Sequence, residues 1–399
     1  MAVQVEPQVD PERRARLLAI VDELGPAFRE RAPHYDRAAS FPFENFADLR
    51  DAGFYGLCIP TRYGGLGASF ADYMHIGAAI GAYCPVTALT FNMHIQTVLW
   101  TGLAADDLDM PDDVRAVHEE RRSALYRRII EDGALQSQPL SEGIAQGATR
   151  GFATTATRVE GGYRINGRKI FASLAGAASD YNITCVETSE DEILFLAVSA
   201  DDPGVEIVGD WDPLGMRGTV SRTLLFKDAF APDDAVLLPP GLYNQLAERW
   251  PYVYMTLTPA YMGLSQAIID FVREYMSSQA PPGITSRRDV PQKQQGWAEL
   301  QIMHERSRAL FDRVVEEAGV DPTPEMLARA LAATYTVMET APQLAALAIR
   351  VCGGLSLLKE HRLEQLYRDA RCGSTMLPWS AEVCLDRLGR HGIFPDADA

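Results

Sequence analysis

Three positions in this sequence carry side chains whose types could take part in chemistry. His94 lies within the apolar run FNMHIQTV, and because histidine titrates near neutral pH it could hold or move a proton beside a ligand. Phe171 and Ser173 stand two residues apart in KIFAS, so on a β-strand they face the same side and could give one ligand an aromatic wall and a hydroxyl. A lone histidine on an apolar helix is more often a hydrogen-bonded core residue, and both interpretations of His94 stay open.

The segment 368–387 is informative because residues 375–377 carry no carboxylate. Removing a proton from a carbon acid usually requires a carboxylate base, yet residues 375–377 read Thr, Met and Leu. The nearest carboxylate belongs to Glu382, which is a candidate either for a relocated base or for a polar contact to a cofactor. The same segment is amphipathic and contains Pro378, which predicts a helix break at that point.

The periodicity of apolar residues divides the chain into three parts. Residues 1–135 show helical spacing, residues 136–240 change to short runs of β type separated by turn signals, and residues 241–399 return to long helical segments. We therefore expect an α+β fold with an N-terminal helical domain, a middle β domain and a C-terminal helical bundle. Within the middle part, Asn166-Gly167 between YRI and RKI predicts a hairpin turn.

Composition limits the classes of partner. The 399 residues carry a formal net charge of −17, which argues against nucleic acid and anionic membranes as partners. The same field repels an anionic ligand such as a CoA ester, so a site for one would need local Arg or Lys. The six cysteines form no CxxC pair, no metal site is indicated, no apolar run approaches the length that spans a bilayer, and the N-terminus lacks the pattern of a secretory signal. We expect reduced thiols and a cytoplasmic location.

Five motifs, in a fixed order, carry a resemblance to a known family. They are IPTRYGGLG at 59–67, SQPLSEG at 137–143 followed by the strands of the β region, WDPLGMRGTVS at 211–221, RVCGGLSLL at 350–358 and LYRDAR at 366–371. Together they resemble the acyl-CoA dehydrogenase family of flavoproteins over nearly the whole chain. The resemblance implies a β-barrel-like middle domain, a C-terminal four-helix bundle, FAD as cofactor, and a homotetramer or homodimer.

The resemblance also implies which residues contact the flavin. The turn 138–143, the strand end with Phe171 and Ser173, the loop with Arg287, and the glycine pair at 353–354 match positions where family members bind it. The glycine pair is expected to approach the ADP part of a flavin in a neighbouring subunit, although helix contact through small residues is an equal alternative. The implied cofactor-binding residues are Gln138, Leu140, Ser141, Phe171, Ser173, Arg287, Arg288, Gln294, Gly353 and Gly354.

Three functions remain open on these grounds. The first is an oxidoreductase acting on an acyl thioester or a related small molecule without the usual glutamate, whose place in the family falls at Met376 or Leu377. Residues 144–149 also depart from the family's Gly-Ser-Asp run near the thioester. The second is an oxygen-using flavoenzyme similar to dibenzothiophene monooxygenase, with His94 and Ser173 near the flavin. The third is a non-catalytic subunit of a heteromeric dehydrogenase.

Overall fold

The computed structural model describes residues 10–143, 151–278, 286–391 and 393. Its described part has helices at both ends and a sheet between them in the sequence, which confirms the predicted α+β architecture. None of the helices in these ranges is long and apolar enough to cross a bilayer. All six cysteines are free, and five of them are buried.

Among the described residues, five α-helices precede the sheet. Asp10 caps the first one by accepting hydrogen bonds from the amides of Glu12 and Arg13, and a proline at the first helical position opens the fourth. That proline, Pro85, divides the apolar stretch 71–103 into two helices with Cys84 between them. The five helices are α1 (Pro11–Ala38), α2 (Phe43–Asp51), α3 (Phe70–Tyr83), α4 (Pro85–Leu99) and α5 (Asp112–Glu131).

The helix α4 is buried around its whole circumference. Every residue of Pro85–Leu99 except Met93 is buried, because α3, the later helix α7 (Thr258–Ser277) and the strand β1 (Gln136–Ser137) pack against it. A helix of this kind has no solvated face that would tell from sequence which side meets a ligand.

In the part of the chain that the structure describes, eight strands form one sheet, and most neighbours are antiparallel. The strand order is β6-β7-β3-β2-β4-β5-β8, with β1 paired in parallel to β4 outside this path. The remaining strands are β2 (Thr155–Val159), β3 (Gly162–Ala172), β4 (Asp180–Glu187), β5 (Ile193–Ser199), β6 (Val205–Val208), β7 (Arg222–Pro232) and β8 (Val236–Leu238).

The hairpin predicted at Asn166-Gly167 is wrong, because β3 runs through both residues without turning. The turn lies instead between β2 and β3, and the register against β7 shifts between Ile165 and Gly167, which makes a β-bulge. Gly167 has a φ of 152°, and a Cβ there would lie 2.7 Å from the Cα of Thr154, so the bulge itself requires glycine.

Six helices follow the sheet in the described residues, and one of them, α7 (Thr258–Ser277), packs on both α3 and α4. The long helix α7 lies against α3 and α9, and α8 packs along α9, which gives the bundle its core. Between α10 and α11 the chain leaves helical geometry around Pro378, as the sequence predicts. The six are α6 (Leu242–Arg249), α7 (Thr258–Ser277), α8 (Pro291–Glu317), α9 (Pro324–Cys352), α10 (Arg362–Cys372) and α11 (Ala381–Arg390).

Candidate functional site

A cavity of about 790 Å³ lies where the sheet region meets the helical bundle. Its wall on one side comes from α4, the turn after β1, the end of β3 and the loop 211–221, and on the other from residues 243–257 and 372–387. The lining of this cavity includes the side chains of Met93, Gln96, Gln138, Leu140, Ser141, Glu142, Phe152, Phe171, Ser173, Trp211, Met216, Thr219, Ser221, Tyr243, Tyr254, Leu257, Cys372, Thr375, Met376, Leu377, Trp379, Val383 and Arg387.

Hydroxyl groups line the sheet side of this cavity. The Oγ atoms of Ser173 and Ser221 are 2.8 Å apart, and Thr219 Oγ1 is also 2.8 Å from Ser221 Oγ. Thr219 donates its own proton to the carbonyl of Met216 at 2.8 Å. The backbone of Ser173 is fixed from behind, because Ser137 donates a hydrogen bond of 2.6 Å to its carbonyl. The three hydroxyls therefore have defined positions.

Strained backbone surrounds these hydroxyls. Phe171, Leu174, Met216 and Val220 all have φ values between 46° and 65°, in the left-handed region that branched and bulky residues rarely adopt. Phe171 lines the cavity beside Trp211, with ring centroids 6.4 Å apart, and remains 66% exposed. Such strain concentrates at ligand sites, where surrounding contacts hold it in place.

The loop 211–221 is fastened to the bundle at two points. The amide of Met216 donates to Asp369 Oδ1 at 2.5 Å, and a Cβ on Gly215 would lie 2.4 Å from the carbonyl carbon of Arg368. Burial raises the pKa of Asp369 to about 7. The loop and α10 therefore approach closely enough to close the cavity on this side.

Gln138, a predicted contact, lies in the cavity wall with one half of its amide satisfied. Its Oε1 accepts a hydrogen bond of 3.1 Å from Thr97 Oγ1, whereas its Nε2 is buried without a hydrogen-bond partner among the described residues. A buried donor left unpaired destabilises the protein by roughly 1–3 kcal/mol. The predicted contacts Leu140 and Ser141 line the same wall.

Glu142 contributes a carboxylate to the wall, and that carboxylate is already engaged. It accepts hydrogen bonds from Lys169 Nζ at 2.6 Å, from the amide of Thr154 at 3.2 Å, and from the amide of Ala153. Burial alone would raise the pKa of Glu142, but the Lys169 ammonium and these hydrogen bonds outweigh that effect and lower it. Lys169 is itself fully buried and also donates to the carbonyl of Thr184. Glu142 is a clamp between β3 and the turn after β1.

The bundle side of the cavity is mainly apolar and aromatic. Thr375, Met376 and Leu377, where the sequence predicts that a carboxylate base is missing, all line it. Tyr254 donates to Tyr243 at 3.3 Å, and burial raises the pKa of both phenols, so they stay protonated. Among the cavity-lining residues that the structure describes, Glu142 is the one carboxylate.

The structure places His94 outside this lining. Its Nε2 donates to the carbonyl of Tyr55 at 2.8 Å, and its Nδ1 accepts from the amide of Gln136 at 3.1 Å, so both ring nitrogens are used. Burial lowers the pKa of His94 to about 4, which keeps the ring neutral. This geometry corrects the expectation of a proton-handling group and favours the hydrogen-bonded core histidine.

The remaining predicted residues lie away from the cavity. Glu382 is exposed in the first turn of α11 and is absent from the described lining, whereas Val383 and Arg387 of the same helix contribute to it. Arg287 lies 4.4 Å from the ring centroid of Tyr275, and Gln294 donates to the carbonyl of Arg288. These two arginines do not contact the cavity of their own chain, and neither does Gln294.

The glycine pair 353–354 follows α9 at the surface near Arg287. Tyr275, the ring beneath Arg287, donates to the carbonyl of Cys352, the residue before the pair. A Cβ on either glycine would meet nothing within 4 Å, so the pair is open rather than packed between helices. The residues 144–149, whose departure from the family pattern bears on the substrate, lie outside the described residues.

Several lining residues were not singled out from the sequence. Met93 and Gln96 lie on α4 on either side of His94, and Trp379 follows Pro378 with its indole Nε1 buried and without a partner. A helix that is buried on every side gave no signal for the first two. The aromatic residue beside a proline in an otherwise helical segment was a usable signal for Trp379.

The residues present fit a flavin. A flavin ring offers carbonyl and ring-nitrogen acceptors and needs fixed donors, hydroxyls and an aromatic or apolar wall, all of which this cavity provides. The unpaired Gln138 Nε2 and the exposed Phe171 ring are both groups that a bound ring system would cover. A helix–sheet–helix architecture with such a cavity at the junction defines the class of flavin-dependent oxidoreductases.

Comparison with known proteins specifies the family. The models of the N-terminal, middle and C-terminal domains of acyl-CoA dehydrogenase match residues 20–105, 140–229 and 255–391. The chain belongs to the acyl-CoA dehydrogenase family, which confirms the resemblance seen in the motifs.

Similar proteins include both dehydrogenase-like and oxygen-using members. YdbM from Bacillus subtilis (strain 168), a candidate acyl-CoA dehydrogenase, is 25% identical over 92% of this chain and 93% of its own length. The amino sugar nitrososynthase DnmZ from Streptomyces peucetius is 27% identical over 97% of this chain and 95% of its own. The FMN-bound dibenzothiophene monooxygenase TdsC from Paenibacillus sp. A11-2 superposes with a TM-score of 0.82 at 22% identity, covering 94% and 96% of the two chains. A flavin is thus supported as cofactor, and FAD in particular stays a prediction.

Proposed function

We propose that this protein is a flavin-dependent monooxygenase. In this reaction the reduced flavin supplies two electrons to O₂, one oxygen atom enters a small substrate, and the other leaves as water with two protons. The substrate proposed is an uncharged small molecule rather than an acyl thioester.

The observation that carries this proposal is the state of the cavity's carboxylate. Dehydrogenation next to a carbonyl needs a base that can take a carbon-bound proton. Glu142, the one carboxylate among the described lining residues, is held by Lys169 and two backbone amides. We expect the place of the family's glutamate at Met376 or Leu377, and neither side chain can take a proton. Oxygen insertion does not need a carboxylate base in that position.

The charge of the cavity supports the same choice. A CoA ester brings several phosphate charges into a protein whose net charge is −17. Arg387 is the single Lys or Arg among the described lining residues, and it lies at the edge formed by α11. TdsC, which is similar in fold over most of this chain, is named a monooxygenase, and DnmZ is named an amino sugar nitrososynthase.

The chain's own residues divide the work in this proposal. Phe171 and Trp211 bound the flavin end, while Ser173, held by Ser221, presents a hydroxyl there. Leu257, Met376 and Trp379 exclude water from the substrate end and shape it. His94 has no chemical step and instead fixes α4 against β1.

The proposed cofactor is FAD, with FMN as the alternative. Open glycines at 353–354 beside Arg287 support FAD, because such a surface can approach the pyrophosphate of a flavin held by a neighbouring copy. The proposal therefore includes a homodimer or homotetramer. Heat release of the bound flavin followed by chromatography distinguishes the two cofactors, and light scattering gives the subunit number.

Isotope labelling tests the function. The protein, its flavin reduced by NADH and a flavin reductase, is mixed with ¹⁸O₂ and either indole or dibenzothiophene, and products are analysed by mass spectrometry. We expect one ¹⁸O atom per product molecule from at least one of these probes. A parallel anaerobic titration of the oxidised protein with acyl-CoAs of several chain lengths should leave the flavin spectrum unchanged.

Two results would contradict the proposal. Bleaching of the oxidised flavin by an acyl-CoA without oxygen would mean dehydrogenation, the alternative with an unusual base. A purified protein that takes up no flavin until a partner chain is added would favour the non-catalytic subunit.

A further inference from the structure

Two hydrogen-bond chains end in the cavity wall, and each can run in one direction only. Proton positions are not seen directly in a structure, but they follow where a chain ends on a group that cannot donate. One chain ends on a carboxylate and the other on a backbone carbonyl. Their directions decide what the cavity offers to a ligand.

The first chain starts at Asp180, which is buried and paired with Arg128 at 3.0 Å. A carboxylate accepts hydrogen bonds, so Gln136 must turn its Nε2 towards Asp180, at 3.0 Å. Gln136 Oε1 then accepts from Asn182 Nδ2 at 2.9 Å. This hydrogen bond orients the amide of Asn182, with its NH₂ group towards Gln136.

The second proton of that NH₂ group orients the rest of the chain. Asn182 Nδ2 also donates to Thr97 Oγ1 at 2.9 Å, so the single hydroxyl proton of Thr97 is free to go to Gln138 Oε1 at 3.1 Å. Gln138 therefore has its oxygen fixed towards Thr97 and its Nε2 turned away, and this Nε2 is the buried donor without a partner. These connected side chains form the amide chain, which consists of Asp180, Gln136, Asn182, Thr97 and Gln138.

The second chain, the hydroxyl chain, consists of Thr219, Ser221 and Ser173. Thr219 gives its proton to the carbonyl of Met216, so the proton between Thr219 and Ser221 must come from Ser221. The proton between Ser221 and Ser173 must then come from Ser173. Ser173 thus spends its proton inside the protein and can only accept from a ligand in the cavity.

We infer that these two chains fix the hydrogen-bond polarity of the cavity, so that Gln138 presents a donor and Ser173 presents an acceptor to the bound molecule. The matching ligand has a carbonyl oxygen or ring nitrogen opposite Gln138 and an N–H or O–H group opposite Ser173. A flavin ring carries both kinds of group, and a polar substrate could supply either. Thr97 and Asn182 act through Gln138 and are positioning residues. The inference requires a ligand in this cavity but does not depend on which reaction follows.

The main test exchanges the donor for an acceptor of the same shape. Gln138→Glu keeps the contact with Thr97 and removes the Nε2 donor. We expect flavin affinity, measured by fluorescence titration of apoprotein without substrate or oxygen, to fall about five- to twentyfold, the usual loss for one hydrogen bond together with an unfavourable carboxylate. If flavin affinity is unchanged and the KM for the substrate rises by that factor instead, the donor serves the substrate. If both are unchanged, the assignment of Gln138 is overturned.

A second variant tests whether Thr97 sets the direction. Thr97→Val removes the hydroxyl at nearly constant shape, which frees the Gln138 amide to rotate, and we expect about a threefold loss in the same measurement. Thr97→Ser should restore the wild-type value, which a packing role would not predict. Thr90→Val is the matched control, because Thr90 is equally buried on α4 and its hydroxyl bonds only to carbonyls of its own helix. Equal losses in Thr97→Val and Thr90→Val would contradict the positioning role.

The hydroxyl chain is tested by the reduction potential. Ser221→Ala releases the proton of Ser173, which can then donate to a ring nitrogen of the oxidised flavin. An acceptor favours the reduced ring with its additional N–H, whereas a donor favours the oxidised ring, so we expect the midpoint potential to become more negative. A potential equal to that of wild type, in a variant whose melting temperature shows that it is folded, would overturn the assignment of Ser173. Flavin affinity and midpoint potential are measured without turnover, so a failure of the oxygenase proposal would not affect them; only the KM comparison requires a turning-over substrate.

Discussion

The two sides of the cavity differ in how their polar groups are held. On the sheet side, Gln138, Glu142 and Ser173 each belong to a chain or clamp that reaches several residues into the protein. On the bundle side, Met376 and Leu377 provide bulk, and the guanidinium of Arg387 has no hydrogen-bond or ion-pair partner in the described structure. Orientation therefore comes from one side and shape from the other.

This division explains how one fold can host more than one reaction. A sheet side whose donors and acceptors are fixed can hold the same ring system in many relatives. A bundle side lined mainly by apolar and aromatic residues can change those residues without disturbing that ring. Differences in function are therefore expected on the bundle side, where this chain has Met376.

The largest predicted loss of folding stability is on the sheet side, at Lys169. Lys169→Met leaves Glu142 buried without its cation, and breaking a buried pair in this way usually destabilises a protein by about 3–5 kcal/mol. Urea unfolding followed by circular dichroism measures the loss. The double variant Lys169→Met, Glu142→Gln should recover much of it, because no charge is then left unpaired.

Lys227→Met is the control for that measurement. Its pair with Glu206 is mostly exposed, so we expect a change of at most about 1 kcal/mol. Similar losses for Lys169→Met and Lys227→Met would mean that the sheet side is not held by its buried clamp.

His94 gives the next contrast, through pH. Its folded pKa of about 4 lies below its ordinary value of 6.5, so the unfolded chain binds this proton more readily than the folded protein. The stability due to the neutral ring is complete above pH 6.5 and is lost as pH falls from 6.5 to 4, by roughly 3 kcal/mol. His94→Gln should lack this part of the slope when unfolding is measured between pH 7 and pH 4.

The same variant separates structure from chemistry. If His94→Gln, once folded and loaded with flavin, keeps kcat within a few-fold of wild type, the core role is supported. A loss of about 10²-fold or more in kcat with unchanged stability would restore the proton-handling role that the sequence suggested.

Sequence patterns predicted the order of the elements well because each part has its own period. The break at Pro378 and the strands of the β region follow from local rules about proline and alternating burial. Asn166-Gly167 misled because the same dipeptide suits a hairpin and a bulge, and only the pairing of β3 with β7 decides between them.

The candidate site was predictable where a turn or strand end fixes direction, and not where a buried helix does. Gln138 and Ser173 line the cavity as expected, whereas α4 turns Met93 and Gln96 towards it and His94 away. No period marks that difference, because α4 is buried on every side and has no solvated face. The amide chain joins residues from α4, β1 and β4. These segments lie far apart in sequence, so the contacts between them have no local signal.

The smallest effect is expected at Arg387. Arg387→Gln removes an unpaired and exposed charge, so stability should change by no more than about 0.5 kcal/mol. If the bundle side provides shape alone, flavin affinity and the KM for a neutral probe such as indole will both stay within twofold of wild type. Gln138→Glu on the opposite side is the reference, since its loss is expected to exceed that of Arg387→Gln several-fold. A KM that rises only for a probe bearing a carboxylate, such as indole-3-acetate, would instead give the bundle side one oriented contact, at the edge where α11 meets the cavity.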